Sequence, residues 1–276
     1  MNLRKIYQKI YYQFFKRHYY GITAKSRVLP DFLIIGSVRS GTTSLYYDIC
    51  QHPSIEKAAY DEIGYFDDNY HLGENWYRSF FPTKNKMQKI KQNTRKAITG
   101  EDTPFYIWNE IASKRIKKDL PGVKLIVILR NPVERAYSNY FLGVREGNEI
   151  NNFDQAIKED IKLIENKTPE KLENYDYKRS YIAKGFYAKQ LKKWLKNFQK
   201  DQIYIISTEE LEKNPKVVLN NIFQFLKLSD FSINQINQYK KSKYPEINYD
   251  IKKKLNDYFE PHNEELFKLI NKKFDW

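Results

Sequence analysis

The sequence predicts an α/β fold: a P-loop-like, mainly parallel central sheet flanked by helices on both faces. Three segments carry that expectation. Phe32 to Ile35 is a short apolar run that ends at a glycine loop and passes into a helical pattern through Cys50. Val123 to Leu129 is a continuous apolar, β-branched run followed at once by Arg130-Asn131-Pro132. Ile203 to Ser207 is a third such run, ahead of a helix opened by Asn214-Pro215 and continuing through Leu226. Strands that alternate with helices imply crossover units, and strands apolar at nearly every position imply burial on both faces.

In chain order, residues 1–29 stand apart as a basic, aromatic helical segment ahead of a main domain of residues 30–276. Leu3, Ile6, Tyr7, Ile10, Tyr11, Phe14 and Phe15 recur near helical spacing, with Arg4, Lys5, Lys9, Lys16 and Arg17 between them. That pattern suits a helix on an anionic membrane surface and equally a helix packed on its own domain; the packed or partner-facing reading is preferred, because any surface helix shows such a stripe. Gly36 and Gly41 then stand five apart, the spacing of a nucleotide phosphate loop, yet Thr42 occupies the place of its lysine. The loop is therefore expected to hold a phosphate other than the end of ATP, with backbone N–H groups, a helix N-terminus and the hydroxyls of Thr42, Thr43 and Ser44 converging on one anion. An ordinary Gly-Ser-Thr turn has the same spacing; the second strand-to-helix site makes that explanation less economical. Ala97 to Glu101 reads as a short strand and Trp108 to Leu120 as a helix, before the Pro121-Gly122 turn. Arg130 then falls at the carboxyl end of a parallel strand, where open α/β sheets bind ligands, and Pro132 starts a helix that carries Arg135 and Ser138. Phe153 to Glu165 and Ile182 to Phe198 read as helices, and residues 166–181, rich in charge and tyrosine, as a loop over the site.

Composition fits one enzyme domain. The chain has 276 residues, 41% of them hydrophobic, which suffices for a core. The single cysteine, Cys50, excludes a disulfide-stapled scaffold and reads as a buried apolar residue. No stretch approaches a membrane span and the N-terminus lacks the apolar centre of a signal peptide, so a cytoplasmic enzyme is the expectation. His18, His52, His71 and His262 are isolated, so no metal site is expected. The net charge of +14 would help attract an anionic donor. Its lysines are scattered over helical stretches, as on a solvated face, and nucleic acid is not an expected partner.

Two stretches resemble the PAPS-dependent sulfotransferases. Ile35-Gly-Ser-Val-Arg-Ser-Gly-Thr-Thr-Ser-Leu-Tyr46 is similar to their 5′-phosphosulfate loop, and Leu129-Arg-Asn-Pro-Val-Glu-Arg-Ala-Tyr-Ser138 to their 3′-phosphate motif. PAPS is 3′-phosphoadenosine 5′-phosphosulfate. The resemblance is strongest to the heparan sulfate (glycosaminoglycan) sulfotransferases and their bacterial relatives. It extends through Glu62-Ile-Gly-Tyr-Phe-Asp67, Trp76-Tyr-Arg-Ser-Phe-Phe-Pro82 and Lys243-Tyr-Pro-Glu246 to Tyr258 and His262-Asn263. It implies that Glu62 is the general base and that Arg39 stands where a lysine bridges the transferred sulfate and the departing phosphate. It further implies that Ser40, Gly41, Thr42, Thr43 and Ser44 hold the 5′-phosphate, and Arg130 and Ser138 the 3′-phosphate. Lys240, Lys241, Ser242, Lys243 and Tyr244 would form a loop closing over the donor. The implied partners are the nucleotide donor and a glycan or other hydroxyl- or amine-bearing acceptor, with no metal required.

The departures from the pattern bear on the acceptor. Gly64 replaces a histidine of the 3-O-sulfating branch, and Leu142 lies where the N-sulfating branch has a histidine, so neither regiochemistry transfers. Ser242 stands where relatives usually place an arginine, and the disulfide hairpin before the donor loop is missing. Two readings from other classes stay open at this level. A P-loop kinase or NTPase should carry the loop lysine and an acidic magnesium ligand after a neighbouring strand; Thr42 and the lack of an Asp after Leu129 oppose it. A non-catalytic polyanion-binding protein of the same fold would bind oligonucleotides in a salt-sensitive way without turnover.

Overall fold

The computed structural model describes Tyr11 and residues 21–166, 180–233 and 244–276. The amphipathic stretch of residues 1–20 (Tyr11 apart), most of the 166–181 loop and Lys240 to Lys243 lie outside the described residues.

Five parallel strands form one sheet: β1 (Phe32–Gly36), β2 (Ile55–Lys57), β3 (Ile98–Asp102), β4 (Lys124–Leu129) and β5 (Ile203–Ser207), in the order β2-β3-β1-β4-β5. β1 is central. The chain leaves it for β2 at one edge, returns to β3 beside it, and then crosses to β4 on its other side. The carboxyl ends of β1, β3 and β4 thus meet at the point where the strand order reverses, which is where open α/β sheets hold ligands.

Alternation along the strands builds two cores. Leu33, Ile35, Leu125, Val127 and Leu129 face one side. There they pack with Ala112 and Ile116 of α4 (Glu110–Asp119) and with Leu191 and Trp194 of α7 (Tyr187–Leu195). Phe32, Ile34, Ile126, Ile128 and Ile206 face the other. Their partners are Leu45, Tyr46 and Ile49 of α1 (Thr42–Ile49) and Val218, Leu219, Ile222 and Phe223 of α9 (Pro215–Phe225). Burial on both faces is why these strands read as continuous apolar runs. A third cluster joins α5 (Pro132–Arg145), α6 (Phe153–Glu165) and α10 (Tyr249–Ile270) through Val133, Ala136, Ile157, Leu255 and Phe259.

Glycine sets the spacing between β1 and β3. Gly100 pairs in register with Phe32, and a Cβ on Gly100 would fall 2.5 Å from the Phe32 ring. The ring fills the space that a side chain would need.

The structure corrects several boundaries. The strand expected over Ala97–Glu101 runs Ile98–Asp102, one residue later, which brings Asp102 into the sheet. The helix expected over Ile182–Phe198 is a 3-10 turn, Ala183–Gly185, followed by the shorter α7. α4 begins at Glu110 rather than Trp108, because the Asn109 side chain accepts from the N–H groups of Ile111 and Ala112 and caps it there. Four elements were not anticipated: the edge strand β2, and helices α2 (Glu74–Arg78), α3 (Lys84–Thr94) and α8 (Thr208–Lys213). Each is short or strongly polar, so periodicity carries little signal. Residues 24–28 pack on the main domain: Arg27 donates to the Phe81 carbonyl at 2.7 Å and Val28 N–H to that of Pro82 at 3.1 Å.

Candidate active site

The phosphate loop grows directly out of β1. Ser37 N–H donates to the Ile128 carbonyl at 2.6 Å, tying the start of the loop to β4, and the Ser37 and Ser40 hydroxyls share a 2.6 Å hydrogen bond. Gly41 caps α1 at φ 85°, a conformation that favours glycine, and no side chain caps the helix. Its first N–H groups therefore lack the side-chain acceptor that a Ser, Asp or Asn would supply, which suits an anion there. From below, the Thr208 hydroxyl contacts the carbonyl oxygens of Ser40 at 2.8 Å and Leu129 at 3.0 Å, locking the loop to the end of β4. Sequence reasoning missed Thr208, since nothing local marks it.

The β4 end supplies the second half. Asn131 caps α5, accepting from Val133 and Glu134 N–H, and Pro132 occupies the first turn. Arg130 is half-buried, with its carbonyl held by the Tyr187 hydroxyl at 2.8 Å and its guanidinium 3.9 Å from Glu134. Ser138, eight residues after Arg130 in the expected motif, is buried on the helix that starts beside that arginine. Arg135, also expected on that helix, is fully buried and donates to the Tyr181 carbonyl, and among the described residues its Nε and Nη1 have no partners.

Arg39 links the two halves. It adopts φ 68°, its Nε donates to the Ser138 hydroxyl at 3.0 Å, and its Nη2 donates to the Tyr244 hydroxyl at 3.1 Å. Tyr244 in turn stacks on Phe141 of α5 with ring centroids 4.5 Å apart. The structure thus brings together Arg39, Ser138 and Tyr244, residues separated by about a hundred positions each. The guanidinium lies toward the 3′ half of the expected donor site rather than over the loop from which it springs.

Glu62 is held by its backbone. It sits at φ 52° with its N–H donating to the Asp102 carbonyl at 3.0 Å, and its side chain is exposed. The next turn is pinned as well: Gly64, at φ 61°, donates to the Thr103 hydroxyl at 3.2 Å, and Arg115 donates to the carbonyls of Phe66 and Asp67 at 2.8 Å. A histidine at position 64 would have to adopt the left-handed region, with its Cβ 3.1 Å from the Asp67 carboxylate, so the backbone favours glycine here. Behind this loop Glu101 is fully buried and accepts from the hydroxyls of Tyr77, Thr103 and Tyr106, and burial pushes it up to about 7. Strand alternation sends the next carboxyl, Asp102, to the opposite face, toward α1, where burial pushes it up to about 8. No sequence signal singled out either acid, because their burial depends on the sheet.

A cleft of about 1130 Å³ opens beside Glu62, with Thr43, Tyr47, Tyr60, Lys57 and Lys86 among its lining residues. Tyr47 donates to Asp61 at 2.7 Å, and the Lys57 ammonium lies 4.9 Å from the centre of the Tyr47 ring. Half-buried tyrosines with lysines between them suit the apolar faces and anionic groups of a sugar chain. Away from the site, burial pushes the Cys50 thiol up to about 12, which leaves it unreactive. Among the described residues no cluster of His, Cys, Asp and Glu is arranged to hold a metal ion, and no helix is long and apolar enough to cross a membrane.

Comparison with known proteins converges on one chemistry. Residues 29–270 match the family described as "Sulfotransferase domain". The membrane-associated sulfotransferase kil1 of Dictyostelium discoideum is 27% identical over 92% of this chain and 68% of its own length. Human bifunctional heparan sulfate N-deacetylase/N-sulfotransferase 2 is 27% identical over 88% of this chain, a match that spans only 30% of that larger protein. A crystal structure of a sulfotransferase from Alicyclobacillus acidocaldarius superposes with a TM-score of 0.69 at 26% identity, covering 90% of this chain and 98% of that one.

Proposed function

The chain belongs to the sulfotransferase domain family, and from that premise we propose that it moves the sulfuryl group of PAPS to a hydroxyl or amine of a carbohydrate acceptor. The observation that carries the donor assignment is the Arg39 bridge, which joins the uncapped phosphate loop to Ser138 and Tyr244. The Arg39 cation then lies between the loop proposed for the 5′-group and Ser138, proposed for the 3′-phosphate. The residues fit such a donor. The N–H groups of Thr42 to Ser44 would receive the 5′-group, and Arg130 and Ser138 the 3′-phosphate, with charge-assisted bonds and the helix dipole supplying the positive field. Lys240 to Lys243, which lie outside the described residues, are proposed to cover the donor together with Tyr244.

In the reaction, the acceptor's O–S or N–S bond forms as the bond between sulfur and the 5′-phosphate oxygen breaks, and the acceptor's proton passes to Glu62. Glu62 stands at the mouth of the cleft and has the exposure that a base needs to reach a bound sugar. Arg39 would turn from Ser138 toward the phosphate loop to stabilise the departing phosphate as a fixed cation. The acceptor class rests on the tyrosine and lysine lining of the cleft and on the carbohydrate-modifying relatives.

Thermal unfolding in the presence of a chelator tests the donor assignment. 3′-Phosphoadenosine 5′-phosphate should raise the melting temperature without magnesium, and more than 5′-AMP does. An Arg130→Ala, Ser138→Ala double variant should lose most of that preference, since each charge-assisted bond contributes about 1.5–3 kcal/mol. Stabilisation by magnesium-ATP with indifference to the bisphosphate would refute the donor assignment. The location we propose is the cytoplasm, with peripheral membrane contact through residues 1–20 as the alternative; co-sedimentation of the full chain with anionic vesicles at physiological salt would establish the second.

A further inference from the structure

Asp102 is a buried carboxyl without a partner. It is the last residue of β3, it is fully buried, and among the described residues neither of its oxygens has a hydrogen-bond partner. Its neighbour Glu101 shows the contrast, with three hydroxyls donating to it on the opposite face of the sheet. An unpartnered carboxylate in such a place is costly, so its presence calls for a role. Its position suggests one. Its carbonyl holds the N–H of Glu62 at 3.0 Å, while its side chain faces α1, whose first turn is the expected seat of the donor's 5′-group.

Half of the groups around it are carboxyls. Asp61 and Glu62 approach from the loop after β2 and Glu101 from its own strand, while Thr43, Tyr46 and Cys50 approach from α1. Of these only the Thr43 hydroxyl favours the ionised form, and it closes no hydrogen bond. We propose that Asp102 is a positioning residue for donor binding: its buried carboxyl lies between the first turn of α1 and the Glu62 loop in the protonated form, and its ionisation drives the anionic donor out. The inference rests on the assignment of the phosphate loop to the donor's 5′-group.

Burial first, and then the charges of Asp61, Glu62 and Glu101, push Asp102 up to about 8, so the switch falls just above neutrality. Of the other groups around the site, Glu101, pushed up to about 7 by burial, titrates at the lower edge of that window, on the opposite face of the sheet, and the Asp102 variants separate its contribution. Burial pushes Cys50 up to about 12 and Tyr46 well above its ordinary value, and the arginines keep their charge throughout. Phosphate monoesters complete their second ionisation near pH 6 and do not change charge above neutrality. A new buried charge beside the helix end that receives the donor's anion weakens its binding by about tenfold or more.

Titration calorimetry with 3′-phosphoadenosine 5′-phosphate and a chelator, at pH 7 and at about pH 9.5, tests this. Wild type should lose about tenfold or more in affinity over that range. Asp102→Asn, a neutral isostere, should bind at pH 7 within about threefold of wild type and lose less than about threefold by pH 9.5. Melting curves give a readout independent of binding. A raised carboxyl stabilises fully below its unfolded value of 3.8 and loses that contribution as pH rises through about 8. The melting temperature of Asp102→Asn relative to wild type should therefore climb over that window. Asp102→Ser serves as a second neutral variant. A parallel fall of affinity in both neutral variants, a flat profile in wild type, or a fall abolished by Glu62→Gln instead would overturn the inference while leaving the donor assignment intact. Failure of both neutral variants to fold would overturn it too, by showing that the carboxyl is structural. Absence of binding by wild type at either pH would overturn the donor assignment, and this inference with it.

Discussion

Glu62→Gln should retain affinity for 3′-phosphoadenosine 5′-phosphate and lose roughly 10²- to 10⁴-fold in turnover of labelled PAPS, the range contributed by a positioned general base. The structure makes this substitution a clean one. The side chain of Glu62 is exposed, and the turn is held by main-chain and neighbouring contacts: its own N–H to Asp102, Gly64 N–H to Thr103, and Arg115 to two carbonyls of the loop. An amide of the same shape keeps the left-handed backbone at φ 52° no more strained than before. A loss of turnover therefore cannot come from a displaced loop, and binding of the bisphosphate provides the control. Turnover near that of wild type would remove Glu62 as the base.

Arg39→Ala should lose about 10²- to 10³-fold in turnover, the size expected for one preorganised group that stabilises a leaving oxyanion. Arg39→Lys should retain measurable activity, because the cation remains. It should also weaken donor binding, because a single ammonium cannot reproduce the guanidinium fork that spans Ser138 and Tyr244. The two effects separate on measurement, with turnover following charge and donor affinity following the bridge. Equal activity in the alanine and lysine variants would mean that the Arg39 charge takes no part in the transfer.

The donor half of the site was legible in the sequence because its chemistry is local. A strand that ends at glycine, a loop with Gly36 and Gly41 five apart and a helix beginning at Thr42 are neighbours in the chain, and hydrogen bonding and φ preference act over those few residues. The same holds for Arg130-Asn131-Pro132, where proline and the asparagine cap specify both the strand end and the helix start. Resemblance to a family then placed Glu62, which alone looks like one acid among several on a polar loop. The helix expected through Ile182 failed for a reason of packing: the chain makes a 3-10 turn at Ala183–Gly185, and a Cβ on Gly185 would fall 2.7 Å from the Phe259 ring of α10.

By itself, then, the sequence determined the alternation of strands and helices, the phosphate loop and the strand-end arginine, since each is specified by residues a few positions apart. Only the tertiary structure decided how those pieces act on one another. The sheet order puts β3 between β2 and β1, and pairing between residues some forty to seventy apart fixes Glu101 under three hydroxyls and Asp102 against α1. The same packing turns Arg39 toward Ser138, 99 residues away, and Tyr244, 205 residues away. Burial and the electrostatics that follow from it are properties of surfaces brought together. A carboxyl becomes a proton holder, and an arginine a bridge, only once the crossovers have removed the water around them.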